Sequence, residues 1–353
     1  MTDKPISELV ALTPTGLYLP DADLYLDARN APRTVFVSHA HSDHCSEAAQ
    51  ILCTPATAFL HQLRRGCRRS ITLPLGEPLI AHNATVTLQS AGHALGAAML
   101  VAESARGRAA YTGDFKLRHN PFTPQATIPR CDTLVMECTF GDPRYVFPPD
   151  NEIYDRLFSF VDDALANDVV PVLLAYALGK GQEVLHHLTA RGYDVMVHGA
   201  IAKICGAHVE LGYPFPGPGT WTRYRAGEIG RRVLLTIPST RNAPMVQRLP
   251  AKRICHLTGW ALHPGAHNMY RGCDLVLPLS DHADWNELVR TATESGASKV
   301  YTVHGNASFA ARLRVMGIDA EHLADHPSIT QLAEDEPEPI DAGGAQLGLG
   351  FGG

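Results

Sequence analysis

The first part of the chain carries short β-like hydrophobic runs separated by turn residues. Leu17-Tyr18-Leu19, Leu24-Tyr25-Leu26, Thr34-Val35-Phe36-Val37, Ala84-Thr85-Val86-Thr87-Leu88 and Ala97-Ala98-Met99-Leu100-Val101 read as strands of a sheet-rich, layered domain. Thr133-Leu134-Val135-Met136 is a continuous apolar run ending in Glu137, the pattern of a buried strand with a polar tip.

The texture changes near Pro143–Pro149. A helical pattern follows from about Glu152 to Leu165, then a strand over Val169-Val170-Pro171-Val172-Leu173-Leu174. Gly179-Lys180-Gly181-Gln182-Glu183 then opens a helix over Val184 to Leu188, and Val195-Met196-Val197-His198-Gly199-Ala200 repeats the order in weaker form. Strand, glycine turn and helix in alternation predict an inserted βα domain. Apolar strands return at Leu275-Val276-Leu277 and Lys299-Val300-Tyr301-Thr302-Val303. The chain thus divides into 1–150, the first part of one domain, 151–274, the insert, and 275–333, the second part of the first domain. The acidic and then glycine-rich tail, 334–353, predicts disorder.

Composition narrows the picture. The 353 residues are 45% apolar and 19% charged, ordinary for a soluble globular protein. No apolar run reaches the roughly 18–20 residues that span a bilayer, and Met1-Thr2-Asp3-Lys4-Pro5 lacks a signal-peptide pattern. Eight cysteines without a C-x-x-C pair suggest neither a disulfide framework nor a zinc ribbon, so a reducing bacterial cytosol is expected. A net charge of −6 excludes wholesale electrostatic binding to nucleic acid and leaves only local patches. Arg64, Arg65, Arg68 and Arg69 are the densest, with Arg231 and Arg232 in the insert, although the plainer reading of each is a solvated face. Trp221 and Trp260 can stack on bases, but burial in the insert is the stronger expectation for both.

The 18 histidines are the unusual entry in the composition. His39-Ala40-His41-Ser42-Asp43-His44 follows an apolar strand and offers four potential ligands in six positions. Zinc takes imidazole nitrogen and carboxylate oxygen. His39 and His41, two apart on extended chain, point the same way, and Asp43 and His44 can face a second metal as the chain turns. Gly92-His93-Ala94, Thr112-Gly113-Asp114 and Val303-His304-Gly305 each follow a strand, and the small neighbours permit close approach of a metal. Singly, His93 or His304 would pass for a structural histidine; with the first cluster they read as one site.

In this order His39, His41, Asp43, His44, His93, Asp114 and His304 resemble motifs two to five of the metallo-β-lactamase superfamily. That resemblance implies an αββα sandwich with the site at the sheet edges. It implies one metal on His39, His41 and His93, another on Asp43, His44 and His304, and Asp114 bridging them. Asp27 matches the family's first motif, a carboxylate that orients ligand loops. The implied cofactors are two divalent ions, zinc foremost and manganese as the alternative.

Glu137-Cys138-Thr139-Phe140-Gly141-Asp142, Ser280-Asp281-His282-Ala283-Asp284 and Val303-His304-Gly305-Asn306 resemble motifs A, B and C of the β-CASP nucleases, whose inserted α/β cap corresponds to 151–274. The resemblance covers about residues 14–323. It implies phosphodiester hydrolysis, with the two ions activating water, His282 beside the scissile phosphate, and Glu137 accepting a hydrogen bond from a ligand histidine or from His282. Asp43 and Asp27 complete the expected catalytic group. Gly179, Lys180, Gly181 and Gln182, at a helix start with free N–H groups, suggest a phosphate cradle. Ser280 and Gly305, beside the motif B and C histidines, join them as expected nucleic-acid contacts.

Histidine at motif C is similar to the RNA-processing β-CASP enzymes, whereas Cys138–Pro149 is similar to the DNA-repair branch. The opening Leu12–Tyr18 and Tyr176–Gln182 resemble bacterial ligase-associated DNA damage response exonucleases most. DNA is therefore favoured over RNA, with a DNA ligase or helicase as the implied partner and no membrane. A small-ester or thioester hydrolase is disfavoured by the insert, and a non-catalytic subunit by the filled ligand positions.

Overall fold

The computed structural model of the chain describes residues 4–5, 7–66 and 69–323. Arg68 and the tail 334–353 lie outside the described residues.

Three sheets organise the molecule. The first has seven strands in sequence order, from Lys4–Pro5 to Arg69–Thr72. Its strands are antiparallel as far as Leu24–Leu26 and parallel from there through Val35–Phe36 and Gln50–Cys53. The second also has seven strands, and the late strand Lys299–Gly305 lies parallel to Thr133–Cys138, with Val135 opposite Tyr301. The two sheets face each other. Leu17, Leu26, Phe36 and Leu52 of the first share a core with Val86, Leu100, Tyr111 and Val135 of the second. Burial of each such aliphatic or phenylalanine side chain is worth roughly 1.5–3 kcal/mol, which makes this seam the layer that joins the two sheets.

Helices cover the outer faces. Leu288 and Ala292 of helix Trp285–Glu294, with Phe309 and Leu313 of helix Ser308–Val315, pack on Met99, Leu134 and Met136 of the second sheet. Helix Pro55–Arg65, capped by Thr54 and opened by a proline, lies outside the first sheet, where Ala58 packs on its outer core. The result is the expected αββα sandwich.

The third sheet is all parallel, with six strands in the order Trp221–Arg223, Val195–Val197, Val233–Thr236, Val170–Leu174, Lys252–Leu257 and Leu275–Leu277. Parallel strands must be covered on both faces. Helices Asp150–Ala166, Lys180–Arg191 and Gly199–Glu210 supply one cover, and Ile229, Val246 and Leu249 pack on the other side. The sheet extends three residues past the expected boundary at 274. Leu277 pairs with Leu257 and is fully buried in the same core, which holds Leu275–Leu277 to this sheet.

Strand direction places the chemistry. In the second sheet Ala84–Ser90, Gly107–Tyr111, Thr133–Cys138 and Lys299–Gly305 run the same way. In the first, Leu24–Leu26 and Val35–Phe36 are parallel. Their carboxyl ends meet at one margin, and Asp27, His39, His93, Asp114, Glu137 and His304 all sit at or just beyond such ends.

Candidate metal centre

Asp27 is the hub of this margin. It is fully buried, and its left-handed backbone (φ 45°) ends the strand Leu24–Leu26. Oδ1 accepts the Ser38 amide at 2.7 Å. Oδ2 accepts three donors: Ser38 Oγ at 2.6 Å, His44 Nδ1 at 2.8 Å and Tyr111 OH at 2.9 Å. One carboxylate thus pins the loop that carries the histidine cluster.

These bonds also decide which ring nitrogens carry protons. Ser38 Oγ spends its proton on Asp27, so it accepts from His39 Nδ1 at 2.9 Å. His93 Nδ1 donates to the Asp281 carbonyl at 2.8 Å, and His41 Nε2 donates to the Leu178 carbonyl at 3.0 Å. Each ring therefore turns its other nitrogen inward. His41 Nδ1 lies 2.9 Å from His39 Nε2 and 3.0 Å from His93 Nε2, with the Asp114 carboxylate 3.5 Å from His39 Nε2. Three ring nitrogens and a carboxylate oxygen converge on one point, a donor set that suits a divalent cation. These four residues form a set able to hold a metal ion. Burial, reinforced by neighbouring histidines, pushes His93 down to about 3 and His39 well below the ordinary imidazole range.

The second half is looser. With Nδ1 on Asp27, His44 presents Nε2 to Asp114 at 3.3 Å and Asp43 at 3.6 Å. Burial opposes its proton, but Asp114, Asp43 and Asp27 outweigh that and hold its pKa well above normal. His304, with φ 52°, reaches the group by a ring contact, 5.1 Å from His44. Burial, then His44, lowers its pKa. Asp114 stands between the halves. Burial disfavours its charge, yet His44 and His282 keep its carboxyl well below the usual range.

Opposite lies a second buried acid. Glu137 accepts the Phe115 amide at 2.8 Å and Thr139 Oγ1 at 2.6 Å, and holds His282 Nδ1 at 3.0 Å. Burial disfavours protonation of His282, but Glu137 and Asp114 raise its pKa to about 10. Asp114, Glu137 and His282 form another set whose ligand atoms converge.

Several supporting residues went unnoticed in the sequence. Ser38 and Tyr111 complete the Asp27 hub. Arg118 donates to the His282 carbonyl at 2.9 Å and pairs with Glu287 at 2.8 Å, while Asn120 donates to the carbonyls of Gly92 and His93. Their proximity to the ligand motifs was the available signal: Ser38 precedes the cluster, and Arg118 and Asn120 follow Asp114.

The expected phosphate cradle is not open. Gly179 N–H donates to Gln182 Oε1, Gly181 N–H to the Tyr176 carbonyl, and the Gln182 and Glu183 amides to the Gly179 carbonyl. Gln182 is fully buried, and its Nε2 donates to the Ala177 carbonyl. Lys180 is buried against Asp281 at 3.1 Å. A side chain closes the turn from within, so the amides of Gly179, Gly181 and Gln182 are satisfied inside the protein. Ser280 Oγ likewise accepts the His282 amide in its own turn, and Gly305 is packed so closely on Cys138 that a Cβ would stand 2.1 Å from its carbonyl oxygen. The arginines too have protein partners: Arg64 and Arg65 donate to the hydroxyl and carbonyl of Ser42, and Arg231 pairs with Asp168. Trp260 packs on Phe140 and Tyr145, and Trp221 on Phe215.

No family model matches the chain. Among curated proteins it is 36% identical over 334 residues to a probable DNA ligase of Opitutus terrae, covering 94% of this chain and 32% of that protein. It is 28% identical over 205 residues to the transcription termination factor FttA of Methanothermobacter thermautotrophicus, covering 48% and 32%. Over 205 residues it is 25% identical to an RNase J-like protein of Methanocaldococcus jannaschii, covering 49% of each. The chain thus spans about a third of the length of the first two relatives and half of the third. With this sandwich, this histidine–aspartate margin and these relatives, the chain belongs to the metallo-β-lactamase superfamily, in its β-CASP branch.

Proposed function

We propose that the protein is a metal-dependent nuclease that hydrolyses phosphodiester bonds, and that its substrate is DNA, shortened from the 5′ end during repair in the bacterial cytosol. The observation that carries this reading is the convergence of His39, His41, His93 and Asp114 beside His282, which Glu137 holds at 3.0 Å. In this reading those four residues hold one divalent ion. Asp43, His44 and His304 hold a second, sharing Asp114. The imidazole-rich set suits zinc, with manganese as the alternative. Bound there, the ions supply neutralisation of phosphoryl charge and a water of lowered pKa.

The chain's own residues do the rest. Asp27 fixes the tautomers of His39, through Ser38, and of His44. His282 keeps its proton at neutral pH, and with Nδ1 committed to Glu137 its Nε2–H is the donor for a phosphoryl oxygen or for the departing oxygen. The third sheet, with the segments from Asp150 to Leu277, acts as a cap over the margin, and the phosphodiester lies between cap and sandwich. DNA is favoured because the relative aligned along 94% of the chain is named a probable DNA ligase, which also supports action beside a ligase. The RNase J-like relative, aligned over 49%, supports RNA as the second reading.

The test uses matched, end-labelled single strands of DNA and RNA with 5′-phosphate or 5′-hydroxyl ends, supplied with Zn²⁺ or Mn²⁺. Metal-dependent shortening of DNA from its 5′ end is expected, and it should be lost in the Asp43→Ala/His44→Ala variant. Preferential cleavage of RNA would move the substrate to the second reading. Inactivity on both strands, with turnover of a small ester, would overturn the nuclease reading.

A further inference from the structure

The turn between strand Val170–Leu174 and helix Lys180–Arg191 belongs to the third sheet, yet it supports the sandwich's histidines at two separate points. First, the Leu178 carbonyl accepts Nε2–H of His41 at 3.0 Å. Second, Lys180 Nζ lies 3.1 Å from Asp281 Oδ1, and the Asp281 carbonyl accepts Nδ1–H of His93 at 2.8 Å. The fit is close. Lys180 and Asp281 side chains are each 4% exposed, and a Cβ on Gly179 would stand 2.9 Å from Asp281 Oδ2. Lys180 Nζ also lies 4.9 Å from the centre of the Tyr176 ring, which gives the ammonium a second anchor within the turn.

The three converging imidazoles therefore have different outer supports. His39 is held from within the sandwich, through Ser38 and Asp27. His41 and His93 are held by carbonyls whose positions depend on this one turn. Outer partners of this kind fix ring orientation and basicity, and their loss lowers metal affinity by about 10–100-fold. A buried ion pair contributes little net stability beside an apolar pair of the same shape, so its value here lies in placement.

Building on the proposed metal centre, we infer that Lys180 is a positioning residue for the metal site: by anchoring Asp281 it sets the carbonyl that orients His93, so the third sheet controls the affinity of the His39–His41–His93 group. Lys180 itself touches neither metal nor phosphate. Asp281 is the intermediary, and it leads directly into His282, so the same anchor steadies the Glu137–His282 pair.

The test is equilibrium titration of the full metal-free chain with Zn²⁺ or Co²⁺ alone, with the Co²⁺ absorption spectrum as a report on ligand geometry. Lys180→Met leaves Asp281 buried and unpaired, so it can fail to fold. The double variant Lys180→Met/Asp281→Asn removes both charges and is the deciding protein, its fold checked by circular dichroism. A folded double variant should bind the tighter ion about 10–100-fold more weakly and show a shifted Co²⁺ spectrum. Wild-type affinity and spectrum in that folded variant would overturn the inference. Failure of the metal-site reading is seen separately, as absence of ion uptake by the wild-type chain.

Discussion

The two halves of the metal margin contain similar residues but are built differently. In the half around His39, His41 and His93, each ring has its outer nitrogen bonded to a fixed acceptor, and the inner nitrogens stand about 3 Å apart along the chain His39–His41–His93. In the half around Asp43, His44 and His304, only His44 has such an anchor among the described residues, and His304 contributes a ring contact at 5.1 Å. The difference follows from origin. His39 and His41 come from one loop, and His93 is locked by Asn120 and Asp281, whereas His304 arrives at the end of a strand added late in the chain. Preorganisation in the first half brings three ring nitrogens within hydrogen-bond distance of one another along the chain. The second half keeps its proton instead.

The most damaging change should be at the residue the halves share. Asp114→Asn removes the carboxylate that faces His39, His44 and His93, so both ions should be lost and nuclease activity should fall by about 10²–10³-fold, the scale for removing a principal electrostatic stabiliser. Metal analysis of the purified variant and a single-turnover assay check this. Retention of a full metal complement would show that the halves are independent. Next come His93→Ala and His304→Ala, each expected to remove one ion per chain. The weaker remaining affinity should belong to His304→Ala if preorganisation matters less than charge, and to His93→Ala if the converging lone pairs dominate. The geometry favours the second outcome, because His93 supplies a nitrogen 3.0 Å from its neighbour while His304 supplies none so close.

Acidification should separate the halves more gently. His93 is held down to about 3 and His39 well below its usual range, so at these two rings protons compete little with metal through mildly acid pH. His44 is held well above its usual range, so at neutral pH the metal-free chain carries a proton that the incoming ion must displace. Falling pH should therefore expel one ion first, with proton uptake, and leave the other in place. Metal content after dialysis at stepped pH measures this directly. Simultaneous loss of both ions along one curve would contradict the asymmetry.

What the sequence made legible follows the same division. His39 to His44 could be read because four ligands fall within six residues after an apolar strand, and Glu137 because it ends a continuous apolar run. The strand before Thr112 was expected without bounds, because Gly-Arg-Ala-Ala-Tyr has weak β character, and its place at Gly107–Tyr111 comes from neighbours on both sides. The internal bonding of the glycine turn at Gly179 was not legible, because glycines at a helix start look the same whether their amides are open or closed by a glutamine. Gln182, three residues on from Gly179, was the hint, since a glutamine at that spacing can reach back to the start of its helix. The pairing of Leu275–Leu277 with Lys252–Leu257 was not legible, because an edge strand of three apolar residues gives no sign of which sheet it joins.

The smallest expected effect tests whether Asp27 serves both halves or only one. Asp27→Asn replaces an acceptor of four hydrogen bonds by a group that can accept fewer, disturbing His44 directly and His39 through Ser38. Affinity should fall about 10–100-fold for both ions. Tyr111→Phe is the milder companion. It removes one of the three donors to Oδ2, while Ser38 and His44 remain in place at 2.6 and 2.8 Å. A hydrogen bond to a charged acceptor is worth about 1.5–3 kcal/mol, so thermal unfolding should register the loss. Metal affinity should barely change, because neither ligand tautomer depends on the phenol. If Tyr111→Phe instead weakened one ion and spared the other, Asp27 would turn in response toward a single partner, and the hub would be serving one half at the expense of the other.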